Sequence, residues 1–538
     1  MSMPGHQGDS MQPQAEVIEE PRSSRDAPSI PGQQSNSALH GLPALARARW
    51  PEWATIAFFA ALVAFAIPYH EPWSDEAQAW QLARSLSLHD LFQTYIRYEG
   101  SPGLWHFFLW VLIRAHVSYS GLHWICGAIA VAATSLLVLK SPFPRYLKLT
   151  LPFTFFLLFQ YAVVARSYVL VPALLYLIAL EWKKRPLVLA LLLGLLSNVA
   201  LHASVISVGL AVVYFAEKIR NGALKDPRRR SQLLLFSFIL LCFFAFALWT
   251  AWPPQDISNH IASVRGQSRP FVTMALGSLC LAICQPWVLA IPFWIAIALC
   301  LRARRGLIYL LPVVLFVAFC GAVHAHLFHM GLLVPLVICI LWITWPASGC
   351  GRSRSETAGR VALGFMVGVQ ILWSAYALGY DHFNAYSPAP ATAEFLKPFV
   401  RNGDTIAVTY LSQVDSQDYE AVAMLPYFDH NIYANQQQPF WWWGNRDSTE
   451  DRFYALLPSH PRIVLVHARP KPGQPIDLND PKAHLLFQSG YRFTNQFCGT
   501  IPARLGAFGD PLCFMVFQPV DSSRQPSKTR VDHVPQGR

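Results

Sequence analysis

Charged side chains are scarce in this sequence, and their scarcity excludes a soluble protein of this size. Only 14% of the 538 residues are Asp, Glu, Lys or Arg, whereas 53% are hydrophobic. In soluble domains the charged share is about 25%. Apolar runs recur from Trp53 to Gly379, and many are long enough to cross a hydrocarbon core of about 30 Å. The composition predicts a polytopic α-helical membrane protein with about 11–13 spans.

The first residues of the chain also lack an apolar run. Residues 1–50 are polar and rich in Pro, Gln, Ser and Gly, which predicts a disordered cytoplasmic tail and no cleavable signal peptide. Residues 523–538 are again polar, and we expect a second disordered tail there.

Few cysteines lie outside the apolar runs, which excludes a dense disulfide framework. Eight of the ten cysteines lie in or beside apolar runs, where a thiol is a small core group. Cys498 and Cys513 lie in the polar C-terminal region instead. They are predicted to form a disulfide if that region is exported and to stay reduced if it is cytosolic.

The formal charge of +11 comes largely from short basic loops, such as Lys183–Arg185, Arg228–Arg230 and Arg302–Arg305. Short basic loops are typical of the cytoplasmic side of a membrane protein, so the charge indicates orientation and not nucleic-acid binding. This orientation places residues after Tyr380 outside. Together with the polar tail, it suits a bacterial inner membrane with a periplasmic C-terminal domain.

The predicted membrane domain covers 51–380 and has an outer loop at 70–102. Its apolar runs lie at 53–69, 103–117, 121–139, 149–165, 167–182, 187–200, 203–215, 232–252, 271–300, 307–323, 331–346 and 361–379. Several are short for a full crossing, so broken or tilted helices are expected. A simple crossing at 103–117 conflicts with the basic loops. Either this run re-enters the membrane or one basic loop is misassigned.

The character of the sequence changes after the last apolar run, where 381–522 is predicted to form a small extracytoplasmic α/β domain. A helical pattern at 391–400 precedes strand-like segments at 404–409, 462–467 and 513–517. Helices that alternate with short strands are typical of α/β domains.

The most informative local feature is the acidic pair Asp75 and Glu76, which follows the first apolar run almost at once. Carboxylates held against a membrane are costly to desolvate, so they indicate a functional site. The spacing of apolar residues predicts an amphipathic helix over 75–96 that lies on the bilayer, with Ser74 as its N-cap and Trp80 and Tyr95 at headgroup depth. Acidic residues in a first turn also complement the helix dipole without any catalytic role.

Three further polar residues stand out against the apolar runs. Glu99 precedes a Gly/Pro turn, which is expected to return it to the membrane face that carries Asp75. Arg166 lies between two apolar runs, either as a snorkelling topology residue or as a guanidinium fork for a lipid phosphate. His202 lies inside an apolar stretch, where a polar group needs a partner.

A histidine cluster, His324, His326 and His329, lies on a predicted outer loop. Its spacing fits no strong metal motif. Hydrogen bonds to a phosphate or acceptor and simple interfacial placement are the favoured interpretations, and a divalent metal remains an alternative.

At these residues the chain resembles the membrane glycosyltransferases of the GT-C structural class, which include the protein O-mannosyltransferase and lipid A aminoarabinose transferase families. The shared pattern is a first span, then the Asp75-Glu76 pair, then Tyr98-Glu-Gly-Ser-Pro-Gly-Leu-Trp105. Relatives usually have Pro-Pro-Leu at this last point, so Gly103 is a departure. Ala165-Arg-Ser-Tyr168 resembles the Arg-x-Tyr that closes a later span in such proteins.

Two shorter motifs, Leu201-His-Ala203 and His329-Met-Gly331, resemble small polar motifs at outer span ends of that class. The resemblance covers about residues 53–379. It implies transfer of a sugar, with inversion, from a polyprenyl-phosphate donor to a lipid, glycan or protein acceptor at the outer membrane face. No cofactor other than the open divalent metal is expected.

The resemblance also implies roles for single residues. Asp75 would take the proton of the acceptor hydroxyl, with Glu76 or Glu99 orienting it. Arg166, assisted by Tyr168 and His202, would hold the donor phosphate.

Two other function classes remain open from the sequence. A transporter or flippase for a lipid-linked glycan predicts polar residues deep in several spans and broken-helix repeats. A non-catalytic sensor or assembly protein predicts that Asp75 and Glu99 are dispensable. The ionisable residues of this chain cluster at the predicted outer rim, which favours surface chemistry.

Overall fold

Most apolar runs of this sequence form helices, in which the backbone N–H and C=O groups are satisfied within the segment itself. The computed structural model describes residues 49–255, 270–284, 287–323, 325–346, 354–411, 419–442, 449–470, 475–501 and 511–520. Within them the chain is mostly helical, with a four-stranded sheet near the C-terminal end. The predicted tails 1–50 and 523–538 lie outside the described residues, except for Arg49 and Trp50.

The helices follow one another with short connections. In the first half they are α1 (Trp50–Ala66), α2 (Ser74–Ser85), α3 (Leu88–Asp90), α4 (Ile96–Glu99), α5 (Leu104–Arg114), α6 (Tyr119–Lys140), α7 (Arg145–Thr150), α8 (Leu170–Glu181), α9 (Pro186–Ser197), α10 (Leu201–Arg220) and α11 (Pro227–Ala251). In the second half they are α12 (Phe271–Leu281), α13 (Trp287–Ala303), α14 (Leu311–Ala322), α15 (Leu327–Met330), α16 (Leu333–Thr344), α17 (Arg354–Phe383), α18 (Ala389–Arg401), α19 (Thr449–Leu456) and α20 (Pro481–Gln488).

Tighter and wider turns join several of these helices. The 3-10 turns are Leu151–Phe153, Ser167–Val169, Leu307–Leu310, Tyr419–Tyr427 and Leu457–Ser459, and the π turns are Leu91–Tyr95 and Phe156–Gln160. The π turn Leu91–Tyr95 makes 88–99 one continuous helical segment of the outer loop.

Five helical stretches among the described residues are long and apolar enough to cross a membrane: Tyr119–Lys140, Leu201–Arg220, Pro227–Ala251, Leu327–Thr344 and Glu356–Phe383. Shorter apolar helices accompany them, including α1, α8, α9 and α14. The number of long helices is below the 11–13 spans predicted from hydropathy because several apolar runs are short or interrupted.

Three of the predicted spans are not simple membrane-crossing helices. The run 103–117 contains only α5, whose eleven residues reach about 16 Å, too short to cross a bilayer core and consistent with re-entry. The run 149–165 consists of a 3-10 turn, a π turn and irregular backbone. The run 271–300 is divided between α12 and α13.

The predicted helix over 75–96 is wrong in its extent. α2 ends at Ser85, where Leu86 takes an extended conformation, and the chain resumes as a second helical segment from Leu88. Ser74 is the first residue of α2, and the N-cap position belongs to Trp73.

The surroundings of this helix also differ from the prediction. α2 does not present one polar face, because Gln78 and Gln81 are buried together with its apolar residues. Trp80 is buried against Tyr119, with ring centroids 5.5 Å apart, and Tyr95 packs on Trp442 at 5.2 Å. The outer loop is therefore covered by protein, and these aromatic residues are not exposed at headgroup depth.

The C-terminal region forms the predicted mixture of helices and strands. Its sheet has the order β1-β2-β4-β3, from β1 (Ile406–Tyr410), β2 (Ile463–Ala468), β3 (Tyr491–Gly499) and β4 (Leu512–Pro519). β1 and β2 are parallel, and β4 is antiparallel to both of its neighbours. The sequence predicted β1, β2 and β4 but missed β3, whose residues alternate irregularly between buried and exposed.

The predicted disulfide between Cys498 and Cys513 is confirmed. The two cysteines lie opposite each other on β3 and β4, and their sulfur atoms are bonded. The bridge joins the edge strand of the sheet to a buried central strand.

The C-terminal region shares a hydrophobic core with the outer loop. Buried residues of the 3-10 segment Tyr419–Tyr427, such as Ala421 and Met424, belong to the same cluster as Ala77 and Trp80 of α2. This shared core holds α2 against α5 and the C-terminal region, and it fixes the direction of the polar residues at the start of α2.

Candidate active site

A cavity of about 390 Å³ opens beside the first turn of α2. We call it the polar cavity. Its walls come from α2, the turn between α4 and α5, and the start of α5, together with the 3-10 turn before α8, the start of α10, the end of α14 and α15. Its polar lining consists of Asp75, Glu99, Ser101, His106, Arg166, Ser167, Tyr168, His202, His326 and His329. Segments that are distant in sequence thus contribute to one site.

Asp75 and Arg166 form an ion pair at the edge of this cavity. The Arg166 Nη1 atom lies 2.6 Å from Asp75 Oδ2, and the two side chains keep 18% and 17% of their surface exposed. The guanidinium also lies over the rings of Phe328, 4.2 Å from its centroid, and Tyr168, at 5.2 Å. The aromatic rings and the carboxylate together fix the position of a cation that faces the cavity.

Glu76 points away from the cavity into a fully buried hydrogen-bonding network, which we call the Glu76 network. Its Oε1 atom accepts from the backbone N–H of Ala165 at 2.7 Å and lies 3.1 Å from His123 Nε2. Its Oε2 atom accepts from the backbone N–H of Trp73 at 3.2 Å and lies 3.3 Å from His70 Nε2. The contact with Trp73 caps the start of α2.

The Glu76 network holds the cavity walls in place. Ala165 directly precedes Arg166, so its bond to Glu76 positions the arginine beside Asp75. On its other side, His70 lies 3.4 Å from Asp381 at the end of α17. Glu76 thus contacts the backbone of the neighbouring wall and, unlike Asp75, does not line the cavity itself.

The charges of this network shift the pKa values of its members. Burial disfavours a charged His70, but the adjacent carboxylates of Asp381 and Glu76 outweigh burial and raise the pKa of His70 to about 10. Burial likewise opposes ionisation of Glu76, yet His70 and His123 hold the pKa of Glu76 well below its usual range. The Glu76 network thus consists of an ionised Glu76 carboxylate, the cationic His70 and neutral backbone N–H donors.

Asp75 behaves differently. Burial raises the pKa of the Asp75 carboxyl, the guanidinium of Arg166 opposes this shift, and the charge of Glu76 adds to it. A carboxylate with a raised pKa is a better proton acceptor near neutral pH than an ordinary aspartate.

Glu99 returns to the cavity as the sequence predicted. Its Oε1 atom accepts from Gln78 Nε2 at 2.9 Å, and both Glu99 and Asp75 line the cavity. Gly100 has a φ of +57°, a left-handed conformation that favours glycine. At Gly103, a Cβ atom would lie 2.4 Å from the ring of Phe92. Glycine in place of the second proline of Pro-Pro-Leu thus allows Phe92 of the outer loop to pack close to the backbone at position 103.

The predicted histidines form the far wall of the cavity. His202 stacks on His329 with ring centroids 4.0 Å apart and an interplanar angle of 13°. The backbone N–H of His326 donates to His329 Nδ1 at 3.0 Å, and Tyr168 meets His329 edge-on at 5.6 Å. His324 lies outside the described residues.

Sequence reasoning missed His106, which also lines the polar cavity. It is buried, and neither of its ring nitrogens has a hydrogen-bond partner within the described part of the chain. His123 was missed as well. Like His202, it is buried in an apolar run, where a polar group needs a partner. His70 and Asp381 lie at the ends of apolar runs and gave no local signal.

The C-terminal region also supplies an acidic residue that the sequence did not single out. Glu420 is buried, lies 3.0 Å from Arg469 Nη2, and hydrogen-bonds to the side chain of Ser74. It therefore brings a second carboxylate close to the first turn of α2.

The described residues contain no group of three or more His, Cys, Asp or Glu side chains arranged to hold a metal ion. The histidines of the far wall instead stack on one another and on aromatic rings. Their nitrogen atoms suit hydrogen bonds to an anionic ligand.

An apolar groove of about 530 Å³ lies beside the turn between α4 and α5. It lies between the segment 88–99, α5, α9 and α11, and its lining includes Phe92, Phe107, Phe243, Phe246 and Trp249. Gly103 and Leu104 line this groove, whereas Gly100, Ser101, Trp105 and His106 line the polar cavity. The turn between α4 and α5 therefore has the polar cavity on one side and the apolar groove on the other.

No protein-family model, curated protein or solved structure matches this chain. Its function must therefore be argued from the site and from the motifs themselves.

Proposed function

We propose that this protein is a membrane glycosyltransferase of the GT-C kind that moves a sugar from a polyprenyl-phosphate carrier to a hydroxyl acceptor. The observation that carries the proposal is the position of the polar cavity and the apolar groove on two sides of the same turn, between α4 and α5. A lipid-linked sugar needs both surfaces, because its phosphate requires charged and hydrogen-bonding groups and its prenyl tail requires an apolar channel.

Asp75 is the proposed general base. It takes the proton of the acceptor hydroxyl while the acceptor oxygen forms a bond to the anomeric carbon of the sugar. The bond between that carbon and the phosphate oxygen breaks, and the phosphate remains on the carrier lipid. Attack on the face opposite the leaving phosphate inverts the anomeric configuration. The raised pKa of Asp75 supports this role.

Arg166 is the proposed phosphate ligand. Its guanidinium faces the cavity and is held by Phe328 and Tyr168. Negative charge grows on the phosphate oxygen as the glycosidic bond breaks, and a fixed cation stabilises that charge most where water is excluded. A bound phosphate would share Arg166 with Asp75 and so free the carboxylate to accept a proton. His202, His326 and His329 add hydrogen-bonding groups on the far wall.

The proposal places the polar cavity and the C-terminal region at the outer face of a bacterial inner membrane. His202 lies at the start of α10 and Lys218 near its end, about 24 Å apart along the helix axis. The basic residues near Lys218 and at Lys183–Arg185 thus lie at the opposite ends of helices that border the cavity, as expected for cytoplasmic loops.

The test is sugar transfer from a panel of radiolabelled polyprenyl-phosphate sugars in membranes that carry the wild type or Asp75→Asn. We expect label to move from lipid to a new product in the wild type and the rate to fall about 10²- to 10⁴-fold in the variant. The matched control is Asp90→Asn, since Asp90 is an exposed carboxylate of the same outer loop that contacts Ser87 and not the cavity.

Other outcomes separate the alternative functions. A lipid-linked glycan that crosses vesicle membranes with its label still on the carrier would support a flippase. Equal transfer rates in the wild type and Asp75→Asn would show that Asp75 only complements the helix dipole at the start of α2.

A further inference from the structure

One buried histidine of the polar cavity, His106, has no partner among the residues that the structure describes. It is the third residue of α5, it is 3% exposed, and it lines the cavity together with Asp75 and Arg166. Neither of its ring nitrogens has a hydrogen-bond partner in that part of the chain. A buried polar group without a partner costs stability, so its presence at a cavity indicates a ligand that supplies the missing hydrogen bonds.

The histidines of the far wall are held differently. His202 stacks on His329, and His329 Nδ1 accepts from the backbone N–H of His326. No carboxylate among the described residues forms an ion pair with His106. Buried without such a partner, His106 stays a neutral imidazole, in which one ring nitrogen donates and the other accepts.

The combination of one donor with one acceptor selects among the parts of a lipid-linked sugar. An ionised phosphate offers acceptors only, and the cation Arg166 already faces the cavity for it. A hydroxyl both donates and accepts, so a sugar with several hydroxyls can supply partners for both ring nitrogens. The cavity volume of about 390 Å³ lies within the usual range for small-molecule sites, about 300–1,000 Å³.

The position of His106 along α5 favours the donor sugar over the acceptor. Leu104, two residues earlier, lines the apolar groove that we assign to the prenyl tail, whereas His106 lines the polar cavity. One turn of α5 therefore borders both surfaces. The hydroxyl of the acceptor already has Asp75 as its proposed partner.

We propose that His106 binds hydroxyl groups of the donor sugar and so makes the cavity prefer a glycosylated carrier to bare polyprenyl phosphate. This inference rests on the proposed function, because it takes the polar cavity as the donor site. The hydrogen bonds of His106 are lost once the sugar has been transferred, which favours exchange of the bare carrier for a new donor. Proton transfer remains with Asp75.

The test measures the binding of four lipids to the full-length protein in neutral detergent. They are bare polyprenyl phosphate and its mannose, glucose and aminoarabinose derivatives. The wild type should bind at least one derivative more tightly than the bare carrier. In His106→Phe this preference should fall about tenfold, the effect of losing one or two hydrogen bonds, while the affinity for the bare carrier stays the same. A folding defect would weaken both affinities and leave their ratio unchanged.

Two further variants separate recognition from structure. His106→Gln keeps one donor and one acceptor in its carboxamide, so the preference should stay within about threefold of the wild type. His484→Phe is the matched control, since His484 is an exposed histidine of α20 that does not line the polar cavity. Ligand-free His106→Phe should unfold at or above the wild-type temperature, because phenylalanine leaves no buried polar group without a partner.

Three results would overturn this inference and leave the proposed function standing. They are an undiminished preference in His106→Phe, equal affinities of the wild type for glycosylated and bare carriers, and a lowered unfolding temperature of ligand-free His106→Phe. The last result would show that His106 has a structural partner within the protein. If the wild type bound none of the four lipids, the proposed function and this inference would both be contradicted.

Discussion

Asp75 and Glu76 are adjacent in the first turn of α2, yet they lie in opposite surroundings. Asp75 borders the polar cavity and has Arg166 as its ion-pair partner. Glu76 is 2% exposed and meets two backbone N–H groups and two histidines. Neighbouring positions on a helix differ by about 100°, so two consecutive residues can face the two different environments.

The two environments suit one carboxylate to chemistry and the other to structure. A saturated, buried carboxylate cannot accept a proton without losing several hydrogen bonds, whereas one at a cavity edge can change partners when a ligand enters. We therefore propose that Asp75 transfers the proton and that Glu76 positions the wall that carries Arg166.

The largest effect is expected from Glu76→Gln. Loss of the charge leaves His70 and His123 beside a neutral amide, and breaking a buried charged contact costs about 3–5 kcal/mol. Chemical unfolding of the purified protein should show this loss in the free energy of unfolding. Glu394→Gln is the control, since Glu394 is an exposed partner of Lys397, and it should unfold like the wild type. If Glu76→Gln were as stable as the wild type, the Glu76 network would have no structural role.

Arg166→Lys sharpens the comparison from the cavity side. Lysine keeps the positive charge but loses the planar fork and the stacking on Phe328, so the transfer rate should fall about 10²-fold while the unfolding temperature changes little. Arg114→Lys is the control, because Arg114 stacks on Trp110 away from the polar cavity. Equal transfer rates in wild type and Arg166→Lys would argue against a phosphate role.

Gly103→Ala tests the turn that separates the polar cavity from the apolar groove. The added methyl group would lie 2.4 Å from Phe92, and such overpacking costs about 1–3 kcal/mol. The free energy of unfolding should fall by this amount. Gly364→Ala, where a Cβ atom meets nothing within 4 Å, should show no such loss. If the two variants unfold alike, the close approach at Gly103 is not structurally important.

A pH dependence of stability tests His70, which contacts both Glu76 and Asp381. The pKa of His70 rises from 6.5 to about 10 on folding. Its contribution is therefore full below pH 6.5 and is lost as the pH rises through about 10. The unfolding temperature should decline over this range in the wild type and decline less in His70→Gln. Parallel profiles would show that His70 is not the titrating group.

Much of the fold follows from local pattern. The scarcity of charge identified the apolar helices, and the alternation of short helices and strands identified the C-terminal α/β region. The irregular backbone at 149–165 could not be predicted, since its end is fixed by the contact of Ala165 with Glu76, a residue 89 positions earlier. β3 was missed because its sequence, with Thr494 and Gln496, lacks a regular apolar alternation.

Several members of the candidate site were predictable, but their pairings were not. The sequence singled out Asp75, Glu99 and Arg166, and all three line one cavity. Nothing local indicated that Arg166 pairs with Asp75 while Glu76 turns inward. These pairings depend on the packing of α2 between α5 and the C-terminal region. The spacing of apolar residues had instead predicted that this helix lies on the bilayer surface.

The most direct test of this account measures transfer rate and unfolding temperature side by side in Asp75→Asn and Glu76→Gln. We predict that Asp75→Asn loses transfer about 10²- to 10⁴-fold with a nearly unchanged unfolding temperature, whereas Glu76→Gln mainly lowers the unfolding temperature. Full transfer by Asp75→Asn, or full stability of Glu76→Gln, would contradict the division of roles between these two carboxylates.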